Sequence, residues 1–294
     1  MTDHLDHRSG SASDGRPVAD LDRPPAGPGR ADLHIHSAAS DGLDGVSAIL
    51  AAVEARSELD VIAITDHDRV DAALAARTLA RHRGYRFEVV VGQEVTTRGG
   101  HLLALFIEER IPPLRSMRDS IGLIHEQGGL AIPAHPLAPY PLCAQGWTLR
   151  RLLAAGDARV RPDGLEAFNP TTAWRRWHPR VVAFTEAHGL AGIGDSDAHL
   201  IAQIGQGWTS FPGHTAEDLH LAILARRTAW HGSFYPPLAQ VTMVGRQYRK
   251  KARDLRADMS GRLLRRGTGR DLGYPGGERR PARLLVPEAE DQRG

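Results

Sequence analysis

Two histidines, His34 and His36, stand in the apolar stretch 31–41 (ADLHIHSAASD), and Asp41 follows them in the same stretch. Side chains of an extended strand alternate faces with period two. Positions 34 and 36 therefore share a face, while Leu33 and Ile35 point into packing. Two imidazoles on one strand face, followed by a carboxylate, form a metal-binding layout. Taken alone, the same pair also describes an exposed strand with two polar residues. What recurs downstream decides between the two.

Imidazoles and carboxylates do recur, at the ends of short apolar runs. Runs at 32–37, 59–65, 87–91, 130–134 and 190–194 lead to His36, His67, Glu94, His135 and His199. The run 165–169 ends in Asn169. His101 is the exception, because it opens its run (101–107). A segment at 208–211 supplies a candidate eighth strand. Between the runs lie helical patterns at 46–56, 71–83, 114–127, 149–155 and 181–188. A last helix runs from a Thr215 cap to Arg227, with Asp218 placed close to a capping box. Strand and helix alternate, which predicts an α/β protein with a parallel sheet. Seven or eight such units close naturally into a barrel, whose functional residues sit at the C-terminal strand ends.

Composition limits the alternatives. The chain has 294 residues and a net charge of +2, which makes no global case for nucleic-acid binding. No run of about 18 apolar residues is present, so no transmembrane segment is expected. The first residues have no apolar core and do not read as a secretory signal. One cysteine, Cys143, rules out an internal disulfide and suits a reducing cytoplasm, the expected location. It lies in a Pro-rich loop with no base matched to it, so no nucleophilic role is assigned. Residues 1–30 read as a disordered leader. The barrel is expected over 31–232, and 233–294 as a basic extension, partly helical or disordered. Its stretch RQYRKKARDLR could form an amphipathic helix that touches an acidic partner, RNA or a membrane surface. The plain alternative is a solvated extension.

The candidates for chemistry are His34, His36, Asp41, His67, Glu94, His101, His135, Asp197 and His199. That is too many for one tetrahedral zinc ion, which takes about four ligands. Two or three divalent ions sharing carboxylates fit better, and mixed N/O donors suit Zn, Mn or Fe. Such a site lowers the pKa of bridging water and holds a phosphoryl or carbonyl oxygen. Asp195 adds a further acid that could be a ligand, a general acid or a turn cap. Asp66 could act as acid or orient a ligand imidazole. Arg69 could clamp a phosphate or lie on the surface, and Asn169 could hydrogen-bond substrate.

In order, the motifs HIHS…SDG, ITDHD, GQE, HLLALFI, AHP and GDSDAH resemble those of the PHP (polymerase and histidinol phosphatase) family of metal-dependent phosphoesterases. The resemblance covers roughly 31–232. It implies a distorted (β/α)7 TIM-like barrel with a two- or three-metal site. It implies metal ligation by His34, His36, Asp41, His67, Glu94 (as a bridge), His135, Asp197 and His199. His101 matches a position that ligates in trinuclear members. The expected activity is hydrolysis of a phosphate ester of a small metabolite, nucleotide or short oligonucleotide through attack by a metal-bridging hydroxide. Asp66, Asp195 or a metal-site histidine such as His199 would protonate the leaving alcohol. Histidinol-phosphatase-like activity, amidohydrolase-type C–N hydrolysis and a non-catalytic metal-binding barrel are the alternatives. The second commonly uses a lysine carbamate, and residues 31–232 contain no lysine.

Overall fold

In a computed structural model of the chain, the described residues are 27–171 and 173–236, with 242, 245–247, 249–250 and 252–253. The described residues up to Lys250 belong to one compact unit. Of the second unit, 251–294, Ala252 and Arg253 are helical. Residues 1–26 of the leader expected over 1–30, and most of the extension, lie outside the described residues.

The strands are β1 (Gly29–Ile35), β2 (Val61–Ile64), β3 (Glu88–Thr97), β4 (Gly100–Leu105), β5 (Leu130–Pro133), β6 (Gly164–Phe168), β7 (Ala191–Gly194), β8 (Gly207–Phe211) and β9 (Ala229–Gly232). The helices are α1 (Val46–Arg56), α2 (Asp71–Arg83), α3 (Met117–Glu126), α4 (Gly146–Leu153), α5 (His178–Ala187) and α6 (Ala216–Leu224). The expected ranges of α1 and α2 match these bounds. β1 begins two residues before the expected start of the barrel, and β9 was not anticipated.

The sheet is mixed, which corrects the expectation of a parallel one. Seven strands pair in the order β5-β4-β3-β2-β1-β8-β9, and β6-β7 form a separate two-stranded sheet. Only β1-β2-β3 and β6-β7 pair in parallel. The reason is local at β3–β4. β3 runs on past Val91 to Thr97, which pairs with Gly100 across a two-residue turn. A turn that short joins only antiparallel strands. The expected (β/α)7 barrel becomes a curled sheet whose gap is closed without a continuous ladder. On one side of the gap the Asp163 N–H donates to the Ala131 carbonyl at 3.0 Å. On the other, Thr209 Oγ1 accepts the Gly194 N–H and donates to the Gly194 carbonyl, both at 2.9 Å.

Two apolar clusters cover the two faces. Ile62, Ile64, Val89, Val91, Leu102 and Ala104 pack under α1–α5 on the convex face. Val61, Ala63, Val90, Leu103, Leu105, Ile132 and Ile193 face α6 on the concave side. Helix α6 plugs that side with Leu219, Ala222 and Ile223, all essentially buried. Its start is fixed as expected, because Thr215 Oγ1 accepts the Asp218 N–H at 3.1 Å. Truncating a buried plug residue such as Ile223 to Ala costs about 2–5 kcal/mol.

The pairing of β1 with β2 slips once. Asp32 pairs with Ile62 but Ile35 pairs with Ile64, so three steps on β1 match two on β2. Such a bulge re-aims the side chains that follow it. Leu33 accordingly packs on the α6 side and Ile35 on the convex side. The regular alternation expected for Leu33 and Ile35 is therefore broken, and Leu33, His34 and His36 all end up buried behind the concave face. Two backbone donors of the irregular stretch are satisfied by side chains, as buried N–H groups must be. Leu33 N–H donates to Asp195 Oδ1 at 2.9 Å and Ile35 N–H to Thr65 Oγ1 at 3.1 Å. Among the described residues, no helix is long and apolar enough to cross a membrane.

Candidate metal centre

Above the α6 plug the concave face turns from apolar to ionisable. Six imidazoles form a contiguous chain there. Ring centroids are 4.3 Å apart for His36–His199, 4.7 Å for His36–His67 and 5.0 Å for His34–His36. His67–His101 at 5.0 Å and His101–His135 at 5.3 Å extend the chain. His101 belongs although it opens its strand. β4 runs antiparallel to β3, so its first residues lie beside the last residues of β3, and His101 pairs with Thr96.

Glu94 is the hub. Its Oε1 lies 2.7 Å from His101 Nδ1 and 3.0 Å from His135 Nε2. Its Oε2 lies 3.3 Å from both His34 Nε2 and His36 Nε2, and 3.1 Å from His67 Nδ1. Asp197 Oδ1 faces His34 Nε2 at 3.5 Å and His36 Nε2 at 3.4 Å. Asp41 Oδ2 faces His199 Nε2 at 3.2 Å and His67 Nε2 at 3.7 Å.

The 3.3–3.5 Å contacts of His34 Nε2 and His36 Nε2 with Glu94 and Asp197 fit a shared metal better than direct hydrogen bonds. Two ligand atoms about 2.0–2.1 Å from one tetrahedral ion lie about 3.3–3.4 Å from each other. His34 Nε2 and His36 Nε2 are fully buried and, among the described residues, have no hydrogen-bond partner of good geometry. Buried polar atoms normally find one. Among the described residues, three overlapping groups can each converge on an ion: His36, Asp41, His67 and His199; His34, His36 and Asp197; His67, Glu94 and His101.

The electrostatics match. Burial pulls the His36 imidazole down, but the adjacent carboxylates of Asp197 and Glu94 push it up to about 10. Burial likewise opposes charging of His34, and Asp197, Glu94 and Glu166 outweigh it, so its pKa is raised well above normal. Burial raises Glu94, but His101, His67 and His34 hold it well below the usual carboxylate range. Asp197 is lowered against its burial by His34 and His36. The centre thus demands positive charge among its carboxylates, as protons or as cations.

The backbone is held in unusual conformations at two of these residues. His135 has φ 30° and Asp197 φ 49°. Each such residue costs about 1–3 kcal/mol and persists where the surroundings over-determine it. The SDG turn depends on glycine for another reason: a Cβ on Gly42 would collide with the His36 carbonyl oxygen.

Four expected site residues have other occupations. Asp66 is buried and spends both oxygens on the Asp41 loop. It accepts the Ser37 N–H at 2.8 Å, the Ser37 hydroxyl at 2.6 Å, and the Ser40 hydroxyl. Asp195 holds the irregular stretch of β1 through Leu33. Burial, Glu166 and Asp32 raise its pKa well above normal. Arg69 is paired with Asp71 at 2.6 Å and donates to the Ala39 carbonyl at 2.7 Å. Asn169 is buried and donates to Glu166 Oε1 and Asp197 Oδ2, each at 3.2 Å, so it braces two acids.

Two contacts were missed. Glu166, fully buried on β6, places Oε1 3.0 Å from His34 Nδ1, and its other oxygen accepts the His135 N–H. Its signal in the sequence was an acid inside the apolar run LEAF. Cys143 Sγ lies 3.6 Å from His135 Nδ1, so the thiol assigned no partner does have one. Trp174 is buried and packs edge-on to His135 at 6.1 Å, shielding that side.

Comparison with known proteins agrees. A family model described as PHP-associated matches residues 175–228. An uncharacterized protein of Methanocaldococcus jannaschii is 35% identical over 153 residues, covering 48% of this chain and 81% of that protein. A phosphoribosyl 1,2-cyclic phosphate 1,2-diphosphodiesterase of Eggerthella lenta is 36% identical over 92 residues, 29% of this chain and 34% of that enzyme. Among solved structures, a two-domain protein of Bacteroides vulgatus containing a predicted PHP-like metal-dependent phosphoesterase superposes with a TM-score of 0.57 at 21% identity. The match covers 69% of this chain and spans 64% of that structure.

Proposed function

Because the chain belongs to the PHP family of metal-dependent phosphoesterases, we propose that it hydrolyses a phosphate ester at a centre of two or three divalent ions. The observation that carries this reading is Glu94, whose two oxygens face two different sets of imidazoles. A carboxylate can be shared between ions, whereas a neutral imidazole nitrogen serves one. His34, His36, Asp41, His67, His101, His135, Asp197 and His199 complete the donor set, and its N/O chemistry suits Zn, Mn or Fe. Ions held there supply Lewis acidity toward a phosphoryl oxygen and activate water at neutral pH.

The chain's own residues do the positioning. Trp174 and the α6 plug keep the inner side dry. The open side is the rim at Asp41 and His67, whose side chains are 43% and 30% exposed, so substrate approaches there. Asp66 and Asp195 are assigned to positioning, since Asp66 spends both oxygens on the Asp41 loop and Asp195 is bound to the Leu33 N–H. His199 has Nδ1 2.9 Å from the Asp197 carbonyl and Nε2 toward Asp41, which leaves neither nitrogen for a leaving group. Solvent at the rim then supplies the leaving group's proton. The substrate class we assign is a small phosphorylated metabolite, nucleotide or short oligonucleotide.

The test is phosphate release from nucleoside monophosphates, 3′,5′-bisphosphate nucleotides, histidinol phosphate and short RNA, with Mn²⁺ or Zn²⁺ added and with chelator. Release that stops on metal removal is expected. Full activity after metal stripping, or none anywhere on the panel with metal demonstrably bound, overturns the reading.

A further inference from the structure

The chain has two lysines, both in the basic stretch beyond the barrel, and one of them reaches the metal centre. Lys250 Nζ lies 3.0 Å from the Ala38 carbonyl, 2.7 Å from Ser40 and 2.9 Å from Gly42. An ammonium has three N–H donors and no acceptor, so three carbonyls converging on one point use its full capacity. These are charge-assisted bonds, stronger than neutral ones. Residues 242, 245–247 and 249–250 are helical, so Gln247 and Lys250, three apart, share a helix face. Gln247 Nε2 donates to Asp41 Oδ2 at 3.3 Å, the oxygen that also faces His199 and His67.

The three carbonyls bracket Asp41. Ser40 and Gly42 are its chain neighbours, so Lys250 holds the carbonyl of the residue on each side of Asp41. Asp66 holds the same loop from within through Ser37 and Ser40. Lys250 holds it from outside. Asp41 is 43% exposed, the most open acid of the centre, and depends most on such bracing.

We propose that Lys250 is a positioning residue for the metal centre. By docking its ammonium into the cradle of Ala38, Ser40 and Gly42, the segment beyond the barrel sets the affinity of the ion held at Asp41, His67 and His199. This rests on the metal-holding reading of the centre, not on any particular substrate. It also gives the basic stretch an intramolecular occupation.

The test is Mn²⁺ binding to the full chain, followed by paramagnetic resonance, for wild type, K250A, K250M, K250R and R249A. Arg249 is exposed on the same segment, so R249A removes equal charge without touching the cradle. K250A and K250M should weaken the loop-side ion about 10–100-fold, the usual effect of losing a group that orients a ligand. R249A should bind like wild type. K250R should not restore binding, because a planar guanidinium cannot direct three N–H bonds as a tripod. Added methylammonium should recover affinity in K250A by refilling the cradle. Wild type without bound Mn²⁺ would defeat the metal reading itself. Wild-type affinity in K250A, an equal loss in R249A, or full restoration by K250R would overturn the role of Lys250 alone.

Discussion

Glu166 Oε1 lies 3.0 Å from His34 Nδ1, so the imidazole that aims Nε2 into the centre is oriented from behind by a buried carboxylate. The same residue accepts the His135 N–H, which steadies a second imidazole at its strained backbone. Groups behind metal ligands typically contribute 10–100-fold in affinity. E166A should therefore weaken metal binding by about that factor, measured by competition with a chelator. E166Q should weaken it less, because its one amide oxygen still accepts from either His34 or the His135 backbone N–H, though not from both as the carboxylate does. Equal, wild-type-like affinity in both variants would remove Glu166 from the centre.

Asp195 separates positioning from proton transfer. Its Oδ1 accepts the Leu33 N–H where β1 slips against β2. Burial, Glu166 and Asp32 favour its neutral form. An amide replaces a neutral acid with little loss, so D195N should keep most metal binding and turnover. D195A leaves a buried N–H without a partner and should cost about 1–3 kcal/mol of stability. A D195N protein that folds and binds metal but is inactive would instead make Asp195 the general acid.

The centre couples metal to pH with a definite sign. In the metal-free protein His36 is raised from 6.5 to about 10. Its stabilising contribution is complete below about pH 6.5 and is lost as pH rises through about 10. Metal binding needs the neutral ring, so protons compete with the ions. Melting temperatures of stripped protein should fall over that window, while the increment given by added metal grows. A metal increment independent of pH would contradict this.

Away from the centre, His125 Nε2 lies 2.8 Å from Asp163 Oδ2, and the same carboxylate oxygen accepts the Ala131 N–H at the joint between β5 and β6. The hydrogen bond to Asp163 raises the His125 pKa. The pair therefore stabilises fully below about pH 6.5 and fades as pH climbs through the raised value. H125Q should cost on the order of 1 kcal/mol at pH 5.5, and less at pH 8.5, by denaturant titration. Equal costs at both pH values would show that the charged form is not what matters.

Much of this protein is legible in the chain alone. The helices at 46–56 and 71–83, the Thr215 cap, and the placing of His36, His67, His135 and His199 beyond strand ends follow from short-range pattern, whereas Glu94 lies inside β3, which runs on to Thr97 instead of ending before it. Local propensity, periodicity and capping act within a few residues, so they can be read from sequence. Tertiary structure decided the rest. Whether β4 ran parallel or antiparallel settled why His101 opens its strand yet belongs to the centre. The slip in β1 settled which side chains share a face. Long-range partners settled that Asp195 pins backbone, that Glu166 stands behind His34, and that Lys250 closes on the Asp41 loop from 208 to 212 residues away. Register, strand direction and buried polar pairing are set by groups distant in the chain, where sequence spacing carries no distance.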